Sequence, residues 1–338
     1  MKVATLEYIK NVYPHPNANK LDIAVVNGWK VCIKKNEYKI GDLCIYVNID
    51  TQLKECVQYE FLRNKKFRIK SNKLRGQLSE GIIFPTSLLK EFGYSTIIID
   101  ENIEGTDVSE YIGAKHYEKP ISTNLLGTSI GQMPSFIKKT NEENLENVIE
   151  VLEELKNKPY YITLKVDGSS ATYYINNGKY GVCSRNLELN EEENNGFWKV
   201  SKKYDIEKKL TTYFKDKNVA VQGEVYGPGI QNNLLKTKEI SFYAFNLWDI
   251  DNKKNLDYID LKTFCVSTQI PMIPVIEENE EFNLSLEELQ SISNKLKYSS
   301  GFAAEGIVVR PKTTFYSNKM RSYCSFKVKN EEYKLKYE

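Results

Sequence analysis

The chain is poor in histidine, has no cysteines paired at metal-ligand spacing and no long apolar run, and each shortage removes a class of function. Its 338 residues carry two histidines, His15 and His116, and six cysteines at 32, 44, 56, 183, 265 and 324, with no CxxC pair among them. A structural zinc site and a cysteine–histidine nucleophile therefore both lack their raw materials. The scattered cysteines are expected to be free, buried thiols of a reducing compartment. No apolar stretch approaches the roughly 20 residues that span a bilayer, and Met1-Lys2-Val3-Ala4-Thr5-Leu6-Glu7 lacks the apolar centre of a signal peptide. An intracellular, cytoplasmic protein with no membrane partner is expected. Surplus charge is missing too, at a net +2. A nucleic-acid surface would have to come from local clustering of charge.

Such a cluster is present. Arg63, Lys65, Lys66, Arg68, Lys70, Lys73 and Arg75 follow one another with no acid between Glu60 and Glu80. Alone, the run reads as a solvated surface; beside nucleotide chemistry it reads as a phosphate-backbone contact. Around it the first 115 residues alternate short apolar runs with turn residues, predicting strands at Lys2 to Tyr8, Leu21 to Val26, Trp29 to Lys34, Asp42 to Val47 and Gly81 to Pro85. Asn27-Gly28 between two of them predicts a tight hairpin, since both residues accept positive φ. Several short strands so arranged suggest a small barrel. Periodicity then weakens from Lys115 to Gln132, where the domain boundary is expected. Leu145, Val148, Ile149, Leu152 and Leu155 recur at helical spacing and predict an amphipathic helix over Asn141 to Lys156. Strands at Tyr160 to Val166 and Ala303 to Arg310, with a helix at Leu286 to Leu296, make the second half α+β.

Lys165-Val166-Asp167-Gly168 is the most informative stretch. Side chains alternate across a strand, so Lys165 and Asp167 share one face while Leu164 and Val166 take the buried one. An amine near its reference pKa of about 10.4 is mostly protonated and cannot attack; positive charge from a metal or another lysine, with partial desolvation, favours its neutral, nucleophilic form. Further along, Ser325-Phe326-Lys327-Val328-Lys329 puts two ammonium groups on one face and apolar anchors on the other, a pairing suited to phosphate. Glu305, ahead of the apolar Gly306-Ile307-Val308-Val309, needs a cation or a hydrogen bond. With Asp167 it offers the hard oxygens that suit hydrated Mg²⁺; a salt bridge with a lysine is the alternative. Phe245, in Phe242-Tyr243-Ala244-Phe245, reads either as core or as a base-stacking ring. Glu224, after Gly223, is either a ribose acceptor or a turn acid.

These motifs, in this order, resemble the ATP-dependent polynucleotide ligases of the covalent lysyl-nucleotidyltransferase superfamily, and more narrowly RNA ligases. The N-terminal Tyr13-Pro14-His15-Pro16-Asn17-Ala18-Asn19-Lys20-Leu21, with Gly28-Trp29-Lys30-Val31 and Lys39-Ile40-Gly41-Asp42, is similar to the OB domain of one RNA ligase branch and to tRNA-binding OB modules. The resemblance implies an OB-fold RNA-binding domain at 1–115, a linker at 116–132 and a ligase-type α+β nucleotidyltransferase domain, unrelated to ATP-grasp, at 133–338. It implies ATP as AMP donor and Mg²⁺ or Mn²⁺ as metal. The partner would be RNA with 3′-OH and 5′-phosphate ends, including nicked duplex, sealed by a monomer in RNA repair. Carried over residue by residue, Lys165 is the nucleophile. Arg185, in Ser184-Arg185-Asn186, supports the nucleotide or the RNA end, Glu224 holds the ribose and Phe245 stacks on adenine. Asp167 and Glu305 organise the metal, Lys327 and Lys329 contact the α-phosphate, and Lys139 lies near the leaving phosphates. The family's Pro-Lys-Thr-Asp-Glu stretch is Lys138-Lys139-Thr140-Asn141-Glu142 here, and a nearby arginine of the family is Asn144. DNA ligases and capping guanylyltransferases share the lysine motif but place their OB domain after the final lysine motif, which this order disfavours. A non-catalytic RNA-binding protein would not need all the motifs.

Overall fold

The structure, a computed structural model, describes residues 2–94, 103–117 and 129–337. The chain divides into two compact units, residues 1–120 with 334–338, and residues 121–333. Most of the expected linker, 116–132, lies outside the described residues.

In the first unit, short strands pair antiparallel wherever the apolar runs predict them. Ala4–Tyr8 lies between Leu43–Val47 and Thr106–Asp107, and Ile82–Pro85 pairs with the far side of Leu43–Val47. Leu21–Val26 and Trp29–Lys34 form the predicted hairpin, its turn made by Asn27 at φ 46° and Gly28 at φ 79°. Leu6, Ile45, Val47 and Tyr59 centre one apolar cluster; Trp29, Val31, Cys44 and Tyr46 centre a second. The unit also contains a buried ion pair, Lys334 Nζ to Glu80 Oε1 at 2.8 Å.

The second unit is built on two sheets. One has seven strands, with Ser169–Asn176 beside Val219–Tyr226 and Ser241–Asp249 near its middle. Helices Gly196–Lys203, Ile206–Phe214 and Tyr258–Thr268 bury Val200, Leu210 and Phe264 in the cluster that includes Tyr173 and Val221 of this sheet. Each such side chain contributes on the order of 1.5–3 kcal/mol. The other sheet has five strands and runs Glu143–Asn144, Phe326–Lys329, Gly306–Pro311, Tyr160–Lys165, Val275–Asn279. Its apolar face, with Ile162, Ile307, Val309, Phe326 and Val328, packs on the helix Leu286–Lys295 through Leu289. That helix starts where Ser285 and Glu288 form a reciprocal capping box.

The helix expected over Asn141 to Lys156 forms only at Val151–Leu155. Asn144 is extended, at φ −68° and ψ 136°, because Glu143 and Asn144 pair in parallel with Phe326 and Lys327. Leu145–Asn147 is a single 3₁₀ turn. Ladder bonds to the sheet outcompeted a helical spacing that the β-branched Val148 and Ile149 supported weakly. The strand expected from Ala303 starts at Gly306, so Glu305 stands just ahead of it.

Candidate functional site

Lys165 is the last residue of its strand in the five-stranded sheet, and Ser169 is the first of its strand in the seven-stranded sheet. Val166-Asp167-Gly168 is thus the passage from one sheet to the other. A Cβ on Gly168 would lie 2.5 Å from the Val225 carbonyl oxygen and 2.8 Å from Glu224 Cγ, so only glycine lets the passage run this close to the Glu224 strand. Gly306, at φ 150°, is pressed in the same way against the Val328 carbonyl.

Register decides which charges meet. Lys165 pairs across the sheet with Gly306, and Gly306 with Lys329; Val308 pairs with Lys327. Paired residues share a face, so Lys165, Arg310, Lys327 and Lys329 stand on one side of the sheet while Ile307, Phe326 and Val328 fill the core on the other. Carboxylates answer these cations. Lys165 Nζ lies 2.9 Å from Glu305 Oε1, and Arg310 lies 2.7 Å from Glu142 Oε1. Glu224 enters from the other sheet, where it pairs with Ser170.

The electrostatics follow from this crowding. Burial favours the neutral amine of Lys165, but Glu305 and then Glu224 overcome it and hold its pKa above the usual lysine value. The acids of the protein itself thus favour the ammonium form, so the positive charge expected to favour the neutral amine has to come from a metal or another lysine. Burial pushes Glu224 up to about 8, against the pull of Lys165. Glu305 is opposed by burial, yet Lys165 and Lys329 hold it below the usual carboxylate range. Burial, with Lys329 and Lys165 beside it, brings Lys327 down to about 8.

Phe245 is 9% exposed and packs with Val166, Tyr226 and Ile273, while the Arg310 guanidinium lies 5.4 Å from its ring centroid. Lys139 donates to Asn186 Oδ1 at 2.8 Å, and Arg185 donates to Asn141 Oδ1 at 3.2 Å. Two segments far apart in sequence are thereby tied together, and Thr140 Oγ1, 3.1 Å from Ser170 Oγ, joins them to the strand after Gly168. Asp167 is buried, and its backbone N–H donates to the Tyr298 hydroxyl at 2.9 Å. Among the described residues no three acid, histidine or cysteine side chains form a ready-made metal cage. The donor set at Asp167 and Glu305 is hard oxygen, which fits a Mg²⁺ or Mn²⁺ ion that keeps most of its waters. Sequence reasoning assigned no role to Tyr298, Glu142 or Arg310. The Ser299-Ser300-Gly301 turn marks a hairpin beside Tyr298, but nothing local shows where the ring points.

In the first unit the basic run divides. Arg63 pairs with Glu55 at 2.5 Å and Glu60 at 2.6 Å, and Arg68 pairs with Asp50 at 2.5 Å. Lys65 donates to Asn72 Oδ1 at 2.9 Å. Lys66, Lys70, Lys73 and Arg75 are exposed and form no ion pair among the described residues.

A sequence profile of RNA ligases matches residues 158–329, and a profile of an OB-fold domain matches residues 3–86. No curated protein sequence matches the chain. Among solved structures it is similar to an RNA ligase of Naegleria gruberi. A lysine-to-alanine mutant of that ligase with ATP and Mn is 31% identical over 98% of both chains, with a TM-score of 0.85. A lysine-to-methionine mutant with AMP and Mn is 31% identical over 99% of this chain and 98% of the other, also at 0.85. The same ligase with pyrophosphate is 31% identical over 98% of both, at 0.83.

Proposed function

This chain belongs to the RNA ligase family, and from that premise we propose that it joins RNA ends by carrying AMP on Lys165. It is an ATP-dependent RNA ligase with an N-terminal OB-fold domain and a ligase-type α+β domain. The observation that carries the reading is the single sheet face on which Lys165, paired to Glu305, stands in register with Lys329 and near Lys327.

In the first step the Lys165 amine attacks the α-phosphorus of ATP. A P–N bond forms as the bond to pyrophosphate breaks, and pyrophosphate leaves with the electron pair. Nζ loses its protons to solvent. Asp167 and Glu305 are the residues that would hold a Mg²⁺ or Mn²⁺ ion, which would supply positive charge beside the amine and the α-phosphate. Lys327 and Lys329 stabilise charge growing on the α-phosphate. Glu224 receives a ribose hydroxyl, Phe245 stacks on adenine, Arg185 supports the nucleotide or the RNA end, and Lys139 lies toward the leaving phosphates. An RNA 5′-phosphate oxygen then displaces Lys165 from AMP, and a 3′-OH displaces AMP from the RNA.

The first unit, proposed as an RNA-binding domain over 1–115, offers its basic run to the phosphate backbone, with Lys66, Lys70, Lys73 and Arg75 most available and Arg63, Lys65 and Arg68 already engaged. A linker over 116–132 would lead to the catalytic domain at 133–338. Repair of broken RNA with 3′-OH and 5′-phosphate ends, including nicked duplex, by a monomer in the cytoplasm completes the proposal; no helix among the described residues is long and apolar enough to cross a membrane. Incubation with α-labelled ATP or GTP and Mg²⁺ tests it. Covalent label on the protein from ATP, lost in acid and stable in alkali as its P–N bond requires, is expected, and its absence would refute the reading.

A further inference from the structure

We propose that Tyr298 is a positioning residue whose hydroxyl locks the backbone of the lysine passage to the backbone of Glu305, so that amine and carboxylate are held ready before ATP arrives. This rests on Lys165 being the AMP acceptor. One phenolic oxygen makes three bonds: it donates to the Lys165 carbonyl at 3.0 Å and accepts from the N–H of Asp167 at 2.9 Å and of Glu305 at 3.0 Å. That is the full capacity of a hydroxyl, one donor and two acceptor sites. The three backbone groups belong to segments well over a hundred residues apart, and the 2.9 Å pair between Lys165 and Glu305 is made by the same two segments.

The ring is itself fixed. Tyr298 is 4% exposed. It sits in a small hairpin after the helix Leu286–Lys295, its N–H donating to the Phe302 carbonyl at 2.8 Å and its carbonyl accepting from Gly301 at 2.9 Å. Ser300 Oγ donates to the Leu234 carbonyl at 2.5 Å, and the Asn330 side-chain amide donates to the Leu296 carbonyl at 3.2 Å. A tyrosine has few torsions, so anchoring both ends of its turn anchors the oxygen. Phenylalanine would keep the packing and leave two buried N–H donors and a carbonyl to find other partners. Freed of this tie, the amine would sample positions away from the line of attack, and an error of about 1 Å at a reacting group costs on the order of a hundredfold in rate.

The test is single-turnover labelling of the full chain by α-labelled ATP with Mg²⁺, comparing Tyr298→Phe with Tyr173→Phe. Tyr173 is another buried tyrosine, and its hydroxyl donates to the Phe197 carbonyl at 3.1 Å in the apolar cluster of the seven-stranded sheet. Tyr298→Phe should lower the maximal labelling rate at least tenfold while half-saturating ATP stays within about twofold, because the hydroxyl is spent on backbone and has no bond left for the nucleotide. Tyr173→Phe should keep the wild-type rate. Equal losses in both variants, or a Tyr298→Phe rate within twofold of wild type, would overturn the proposal. If Tyr298→Phe does not fold, backbone amide exchange in the intact protein decides: the Asp167 and Glu305 amides should be protected like sheet amides, and loop-like exchange at either would refute the tie. An intact protein that takes no label from ATP would sink the ligase reading instead, and the exchange measurement would still stand on its own.

Discussion

Two lysine-rich stretches of this chain look alike in sequence and are physically opposite. The run from Arg63 to Arg75 lies largely on the surface, where Arg63 and Arg68 are partly neutralised by neighbouring acids and the exposed lysines remain in water. Lys327 and Lys329 stand on a sheet face among buried carboxylates, where Lys329 and Lys165 add to burial in lowering the pKa of Lys327. Exposed cations attract a polyanion at long range, and salt screens them. Enclosed cations are held in place by register, against partners fixed on the same face. The comparison separates holding a strand from transferring a nucleotide.

The largest effect should come from the enclosed set. Lys165→Met should abolish covalent labelling by ATP, since no other amine ends that strand at the passage between sheets; residual label at the wild-type site count would place the nucleophile elsewhere. Glu305→Ala should slow adenylylation by on the order of 10²-fold and raise the metal concentration needed, as expected when a charge-organising group is lost from an enclosed site. An unchanged rate across a Mg²⁺ titration would make Glu305 merely structural.

Acidity gives a subtler handle on the same face. Lys327 is brought down to about 8, chiefly by burial and by Lys329. Below that pH it is charged and ready for phosphate. Above it, binding must take up a proton, so ATP affinity should fall by up to tenfold per pH unit. Lys327→Arg keeps its charge throughout and should flatten this part of the profile, which titration of ATP binding between pH 7 and 10 would check. On the exposed side, Lys70→Ala with Lys73→Ala should weaken RNA binding only a few-fold and reduce the salt slope by roughly 2, whereas Arg63→Ala should change it by less, its charge being already shared with Glu55 and Glu60. Equal slopes for the two variants would erase the distinction drawn between paired and unpaired surface cations.

Much of the architecture was legible in residue order because local rules governed it. The Asn27-Gly28 hairpin, the helix opened by Ser285 and Glu288, and the alternation of Lys327 and Lys329 with Phe326 and Val328 each depend on neighbours a few residues away. The helix expected from Asn141 failed because Asn144 found a ladder partner at Lys327, across nearly the whole length of the domain. No spacing within the segment records that partner. The acids around Lys165 went unseen for the same reason: Glu305, Glu224 and Glu142 reach it from remote elements, and together they outweigh burial.

By itself, then, the order of residues determined the kind of chemistry, since a nucleophilic lysine, hard-oxygen acids and paired cations are properties of side chains. It also determined the strand alternation that turns those groups to one face. Only the tertiary structure decided which of them meet. Register across three strands set Lys165 beside Glu305 and Lys329, the absence of a Cβ at Gly168 let the two sheets close on that point, and one tyrosine hydroxyl joined backbone from both segments. Electrostatic and hydrogen-bond energies depend on distances of a few ångströms, and those distances are set by packing between elements far apart in the chain.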